Sequence, residues 1–414
     1  MDRRTFLKSA ATYSLSMLLP GAQAWAFSNA TGSNNNKKLV VVFLRGAADG
    51  LNILVPYADP AYYQARSSIA IPQPGAGDNS VLNLDGSWGL HPALSAMMPM
   101  WQSKSLAFVA ASGSPDPTRS HFDAQDYMES GVPGAKVIST GWMNRLVSML
   151  PDNHSPLRAI NVGPTIPRIL AGPASVANMQ IGPAAGRKMA VDRPAIAQAF
   201  QELYADRKDV LGEKFREGME ARQKLSKELE DEMEQANRGA PAPKQNPDFG
   251  KQLAKLLTKD PTVQVAFVAF GGWDTHVNQG AGKGQLANHL QPLGNGLADL
   301  VQGLGPMYDD TTIVVMSEFG RTAHENGNGG TDHGHGNMMW LMGGGVRGGK
   351  VYGKYDSLAS SDLYEGRDLP VSTDFRNVLA SVLVGHMGLE SSQMEKVFPH
   401  FNATNGDVAN IVHA

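Results

Sequence analysis

Residues 38–52 read Lys38-Leu-Val-Val-Val-Phe-Leu44, then Arg45-Gly-Ala-Ala-Asp49-Gly-Leu-Asn52. After Lys38 the first stretch is an unbroken, β-branched-rich apolar run with no polar alternation. Such a run suits a strand covered on both faces, the central strand of a parallel sheet. The turn that follows changes character at once, to small residues and one carboxylate. The same juxtaposition recurs along the chain. Leu106–Ala111 reads as a second buried strand, followed by a loop over 112–120 and a helix over His121–Ser130. Thr262–Phe270 runs into Gly271-Gly-Trp-Asp-Thr-His276, and Thr311–Met316 into Ser317-Glu-Phe-Gly-Arg321. Met338–Met342 reads as a short strand, and helices are expected over Pro92–Gln102, about Gln285–Leu304 and Thr373–Met387. Strands alternating with helices predict an α/β fold, a doubly wound, mostly parallel mixed sheet flanked by helices. In such sheets function gathers in loops beyond the carboxyl ends of strands. Here those loops hold the Asp, His, Glu and Arg residues.

The chain has 414 residues, enough for two or three domains or for one large α/β domain with insertions. The reading adopted is one α/β domain over 38–400. An apolar fraction of 42% allows a sizeable core, and 45 glycines with 25 prolines put much of the chain in turns and loops. A formal net charge of −3 argues against a nucleic-acid binder, which needs a basic face. No run of 18 apolar residues suggests a membrane span. Cysteine is absent, which excludes disulfides, thiolate nucleophiles and sulfur-ligated metal sites.

Residues 1–26 read as an export signal. Arg3-Arg4-Thr-Phe6-Leu7-Lys8 precedes an apolar stretch, Ala10–Pro20, and a small-residue end, Ala22-Gln-Ala-Trp-Ala26, with cleavage after Ala24 or Ala26. The paired arginines with Phe, Leu and Lys resemble the twin-arginine type, which implies the twin-arginine export machinery as partner and a periplasmic or secreted destination. That route carries folded proteins, and metal loading is coupled to folding, so it raises the expectation of a metal. Residues 27–37 form a polar tether. Residues 193–235 interrupt the strand–helix alternation: apolar residues from Ile196 to Met233 recur every three to four positions amid many charges, predicting a helical insertion. Residues 236–248, with three prolines, are the linker back into the sheet.

Asp332-His333-Gly-His335 lies in a Gly-rich loop just before a strand; two imidazoles and a carboxylate this close suit one ion or two adjacent ones. Asp274 and His276 are two apart in an extended segment, so they face one side and could share an ion, or Asp274 could orient His276. Asp49 ends the first strand and suits a hard cation, or simply an Asp-Gly turn. Glu318 is a ligand or an ion-pair partner of Arg321. In the first case Arg321 is free to hold an anionic substrate. Thr118 and Ser120 precede a helix, where a hydroxyl is an N-cap or, activated by a metal beside the helix N-terminus, a nucleophile.

These motifs fall in order: Arg45-Gly-Ala-Ala-Asp-Gly-Leu-Asn52, Gly89-Leu-His-Pro-Ala-Leu94, Ser120-His-Phe-Asp-Ala-Gln125, Gly271–His276, Ser317–Thr322 and Gly330-Thr-Asp-His-Gly334. The set resembles the exported bacterial family called domain of unknown function 1501, over about residues 37–390. That family is grouped with the alkaline phosphatase and sulfatase superfamily. The resemblance implies a large mixed sheet, usually two divalent metals, and hydrolysis or transfer of phosphate or sulfate esters by a Ser, Thr or modified Cys nucleophile; the expected cofactor is a divalent ion whose identity, Zn, Mn, Ca or Mg, the sequence leaves open. It implies Asp49, Asp274, His276 and His333 as metal ligands and places the nucleophile approximately at Thr118 or Ser120. At Glu318-Phe319 the superfamily carries Asp-His, a position that His324 or His335 would have to fill. Two functions follow: a metal-dependent hydrolase of a small anionic phosphate or sulfate ester, or a non-catalytic binding or assembly protein of the cell envelope.

Overall fold

The computed structural model describes residues 37–179 except 137, 153, 154 and 164, residues 248–413 except 405, and positions 198, 199, 203, 204, 207, 209 and 213 between them. The expected export signal, nearly all of the tether, and nearly all of the helical insertion and linker lie outside the described residues.

Among the described residues, nine strands form the main sheet: β1 (Lys38–Leu44), β2 (Leu106–Gly113), β3 (Ala159–Val162), β4 (Ala177–Met179), β5 (Val265–Phe270), β6 (Thr311–Ser317), β7 (Asn337–Gly343), β8 (Lys350–Tyr352) and β9 (Thr373–Asp374). The order is β8-β2-β7-β6-β1-β5-β3-β4, with β9 also beside β2. Every pairing is parallel except the two that β7 makes, with β2 and β6. β1 lies between β5 and β6, Val41 opposite Phe267 on one side and Val314 on the other.

The unbroken apolar run of β1 is explained by its two covered faces. Val40, Val42 and Leu44 enter one core with Leu253, Leu256 and Leu257 of α3 (Phe249–Lys259) and Leu286, Leu290 and Leu297 of α4 (Gln285–Leu304). Leu39, Val41 and Phe43 enter the other, with Met128 of α1 (His121–Ser130), Trp142 and Leu146 of α2 (Trp142–Met149), and Phe375 and Leu379 of α5 (Phe375–Gly385). Burying each such side chain contributes about 1.5–3 kcal/mol. A mixed α/β fold with a mostly parallel central sheet between helical layers is therefore what the sequence builds.

Local chemistry sets the boundaries. α1 ends where Gly131 takes the left-handed conformation, φ 71°. Thr373 and Asp374, expected in a helix, instead pair with β2, and the Asp374 carboxylate accepts from Arg376 N to cap α5. The helix expected over Pro92–Gln102 is a 3₁₀ turn over Pro92–Met97 followed by a short α-helix. A small sheet of Leu54–Val55, Leu82–Asn83 and Gly89–Leu90 lies outside the main one. Among the described residues no helix is long and apolar enough to cross a membrane.

Candidate metal centre

Because β1, β2, β5 and β6 run parallel, their carboxyl ends share one edge of the sheet. β7 runs the other way, so the loop that precedes it arrives at the same edge. Five loops meet there, and they bring His121, Asp274, His276, Glu318, Arg321, Asp332 and His333 together. Gly46 makes the approach of the first loop possible. Its φ is 115°, and a Cβ there would sit 2.8 Å from Asp274 N.

The ligand atoms of His121, Asp274 and His333 all lie within 4.8 Å of one another. His121 Nε2 is 3.0 Å from His333 Nε2, and His276 Nε2 is also 3.0 Å from His333 Nε2. Asp274 Oδ1 is 3.0 Å from His276 Nε2 and 3.3 Å from His333 Nε2; its Oδ2 is 3.5 Å from His121 Nε2. The opposite nitrogen of each ring is held by an acceptor. His121 Nδ1 meets Glu318 Oε1 at 2.9 Å, His276 Nδ1 meets Asp332 Oδ1 at 3.1 Å, and His333 Nδ1 meets the Arg119 carbonyl at 3.0 Å. An acceptor on Nδ1 puts the proton of a neutral imidazole there and turns the Nε2 lone pair inward, the arrangement that orients metal-ligating histidines. Three inward lone pairs and a carboxylate fit a divalent ion of the zinc or manganese kind. Phe319 stacks on His121 with ring centroids 5.0 Å apart and fixes its plane.

The electrostatics of the ion-free cluster distinguish the two rings: His121 is drawn towards its charged form and His333 towards its neutral one. The hydrogen bond to Glu318 raises the His121 imidazole above its usual range, against burial. Burial, together with the charges of His121 and Arg321, lowers His333 below its usual range and so favours the neutral ring. Burial opposes the Glu318 carboxylate, but donors from His121, Gln125 and Gly46 N outweigh it and hold the group low. Burial likewise opposes the Asp274 carboxylate, and the Arg321 guanidinium beside it wins.

Not every residue singled out in the sequence reaches this point. Asp49 is fully buried away from the cluster. Its Oδ2 accepts from Arg66 Nη1 at 2.6 Å and from Gln279 Nε2 at 2.6 Å, and its Oδ1 has no hydrogen-bond partner among the described residues. A guanidinium thus takes the place expected of a cation. His335 turns the other way: its Nε2 meets the Ser114 carbonyl at 3.1 Å and its ring packs on Tyr364. Glu318 and Asp332 stand behind His121 and His276 rather than with the inward-facing nitrogens. Arg321 is not free for an anionic substrate. It donates to the carbonyls of Gly46, Ala47, Trp273 and Thr331 and to Asp274 Oδ1; its side chain is 0% exposed while Asp274 is 44% exposed. It braces the loops and Asp274. Ser120 is exposed at the N-cap of α1 and makes no side-chain cap bond; Thr118 Oγ1 accepts from Ser120 N at 3.3 Å. The member of this cluster that the sequence motifs do not single out is His121. Its signal is a histidine inside the Ser120–Gln125 motif, at the first position of a predicted helix.

Fold and site define a mixed α/β protein with a histidine–carboxylate cluster at the carboxyl edge of its sheet. Over residues 36–398 the chain matches the family described as protein of unknown function (DUF1501), and it belongs to that family. No curated protein matches it. Similar solved structures include Ps i-CgsB in complex with k-i-k-neocarrahexaose (13% identity, TM-score 0.41, covering 89% of this chain and 75% of that one). Another is the lipoteichoic acid synthase LtaP from Listeria monocytogenes (10% identity, TM-score 0.31, covering 80% and 72%).

Proposed function

We propose that this protein is an exported, metal-dependent hydrolase of phosphate or sulfate esters, with an alkaline phosphatase-like sheet. The observation that carries the metal part is the set of imidazoles whose Nδ1 atoms are all held by acceptors while their Nε2 atoms face one another and Asp274. His121, Asp274 and His333, with His276 beside them, would hold the ion, while Glu318, Asp332 and the Arg119 carbonyl orient the rings. A bound divalent ion supplies Lewis-acid polarisation of an ester oxygen and charge neutralisation. Arg321 holds Asp274, half-exposed, in place at the centre. Ser120 supplies a hydroxyl immediately before His121, unengaged as a cap, and is the nucleophile of this reading. The ester class is supported by the six ordered motifs, which resemble the DUF1501 family, and by the grouping of that family with the phosphatase and sulfatase superfamily.

The export part rests on Arg3-Arg4 and the segment after it. Replacing both arginines by lysine should leave the full-length chain in the cytoplasm; undiminished export of that variant would remove this part alone. The test of the whole is divalent-metal content of the purified mature protein together with turnover of an aryl phosphate and an aryl sulfate. A metal-bearing protein inert to both esters would favour a second reading, a binding protein of the cell envelope. That reading is supported by Arg66 occupying Asp49 and by the full commitment of Arg321.

A further inference from the structure

Gln279 lies three residues beyond His276 and belongs to no motif singled out in the sequence. It is fully buried, as are Asp49, Arg66, Thr275 and Thr331 around it. Its amide is used at both ends. Nε2 donates to Asp49 Oδ2 at 2.6 Å. Oε1 accepts from the hydroxyls of Thr275, at 2.6 Å, and Thr331, at 3.2 Å. Thr275 is the residue between Asp274 and His276. Thr331 directly precedes Asp332, which holds His276 Nδ1, and stands two before His333. One amide oxygen therefore joins the two loops that carry three of the four inward-facing side chains. Backbone bonds between the same loops, Gln279 N to Gly329 O at 2.9 Å and Thr331 N to Thr275 O at 3.2 Å, run alongside.

The far side of the amide is anchored just as firmly. Asp49 Oδ2 also takes Arg66 Nη1 at 2.6 Å, and Arg66 donates as well to Asn52 Oδ1, the Thr322 carbonyl and the Ala323 carbonyl. Asn52 in turn accepts from the Tyr62 hydroxyl at 2.8 Å. The acceptor at Asp49 fixes which end of the Gln279 amide faces inward, so its oxygen can only point at the two threonines. No other side chain does both jobs: a carboxylate would set acceptor against acceptor at Asp49, and an apolar side chain would leave two buried hydroxyls unpaired.

Resting on the proposed metal centre, we infer that Gln279 is a positioning residue: it locks the Asp274–His276 loop to the Thr331–His333 loop in the spacing the ion requires, using the Asp49–Arg66 pair as its foundation. Asp49 thereby serves the centre without touching the ion. Partners behind the direct ligands typically govern metal affinity by 10–100-fold, and groups acting through one contact are non-additive.

The test is a zinc-affinity cycle on the mature protein, by competition with a chromophoric chelator. Gln279→Met and Thr275→Val should each weaken zinc binding about tenfold. The double variant should bind no worse than the weaker single one. Thr331→Val gives an independent entry to the same contact should Gln279→Met fail to fold. Asn144→Ala is the control: its side chain bonds Leu170 and Ala174, so it should lower Tm and leave zinc affinity unchanged. Zinc binding by Gln279→Met and Thr275→Val equal to that of the wild type, or strictly additive losses, overturns the positioning role while the metal centre stands. A wild type that takes up no zinc, manganese, calcium or magnesium overturns the centre itself, and this role with it.

Discussion

His121 and His333 meet Nε2 to Nε2 at 3.0 Å, although the Nδ1 of each already faces an acceptor, Glu318 for one and the Arg119 carbonyl for the other. Two neutral rings held so would set lone pair against lone pair. The contact calls for a cation, a proton on one ring or a metal ion among them, and Asp274 supplies the neighbouring negative charge.

The first prediction follows directly. His333→Ala removes the ring that both other imidazoles touch, so metal content and thermal stability should fall together. An ion at 100 times its Kd stabilises the folded state by about 2.7 kcal/mol through mass action. Elemental analysis with melting curves, with and without chelator, checks this. A wild-type Tm indifferent to chelators would sink the idea.

Acidity gives the second. The Glu318 carboxyl is held low in the folded state, so its contribution is present above the unfolded value, near 4.3, and is lost as pH falls through the lowered one. The His121 imidazole is held high, so its contribution is present below about 6.5 and is lost as pH rises through the raised value. In the ion-free protein the pair therefore stabilises most between about pH 4.5 and 6.5. The Tm gap between wild type and Glu318→Gln should peak in that window and narrow above it. A gap independent of pH would show that the pair is not charged as described.

Much of this was legible beforehand, for identifiable reasons. β1 was readable residue by residue because a central strand has no polar face to blur its ends. Asp274, His276 and His333 were readable because polar residues crowd the loops beyond buried strands. What sequence could not show was the fate of each polar group across long separations. Asp49 meets the Arg66 guanidinium, and Arg66 follows it by 17 positions without a motif. Arg321 looks like an anion hook, yet four carbonyls and Asp274 consume its donors. His121 was hidden by helix geometry: as the first residue of α1 it counted towards the helix, while the loop before that helix swings its ring to the centre.

Asp49 yields the third prediction. Asp49→Ala leaves the Arg66 guanidinium buried without its carboxylate, which costs about 3–5 kcal/mol. Ion stoichiometry at saturating metal should stay unchanged, because Asp49 bonds Arg66 and Gln279 rather than the centre. Urea unfolding and elemental analysis on the same samples decide it. Loss of one metal equivalent would return Asp49 to the ligands.

Arg321 yields the fourth. Its planar guanidinium fans out to the Gly46, Ala47, Trp273 and Thr331 carbonyls and Asp274, with Nη1 also 3.5 Å from His276 Nε2. Lysine, with a single ammonium, reproduces neither the plane nor the reach. Arg321→Lys and Arg321→Ala should both destabilise strongly, by about 3 kcal/mol or more, because buried carbonyls lose their donors. Denaturant midpoints check this. A variant that kept full stability and lost only turnover would restore the substrate-binding role expected from sequence.

The last prediction concerns the hydroxyl. An N-cap serine that bonds the helix backbone is worth about 1 kcal/mol. Ser120 makes no such bond, and it is exposed, so Ser120→Ala should change stability by less than about 0.5 kcal/mol. If Ser120 attacks the ester, the same variant should lose aryl phosphate or aryl sulfate turnover with its metal content intact. Thr118 makes the contrast useful, since its Oγ1 accepts from Ser120 N and holds the turn. Thr118→Val should therefore lower Tm modestly and retain turnover. A stable, metal-loaded and fully active Ser120→Ala protein would move the nucleophile away from this helix start. Loss of turnover in Thr118→Val with activity kept in Ser120→Ala would move it two residues back along the same loop.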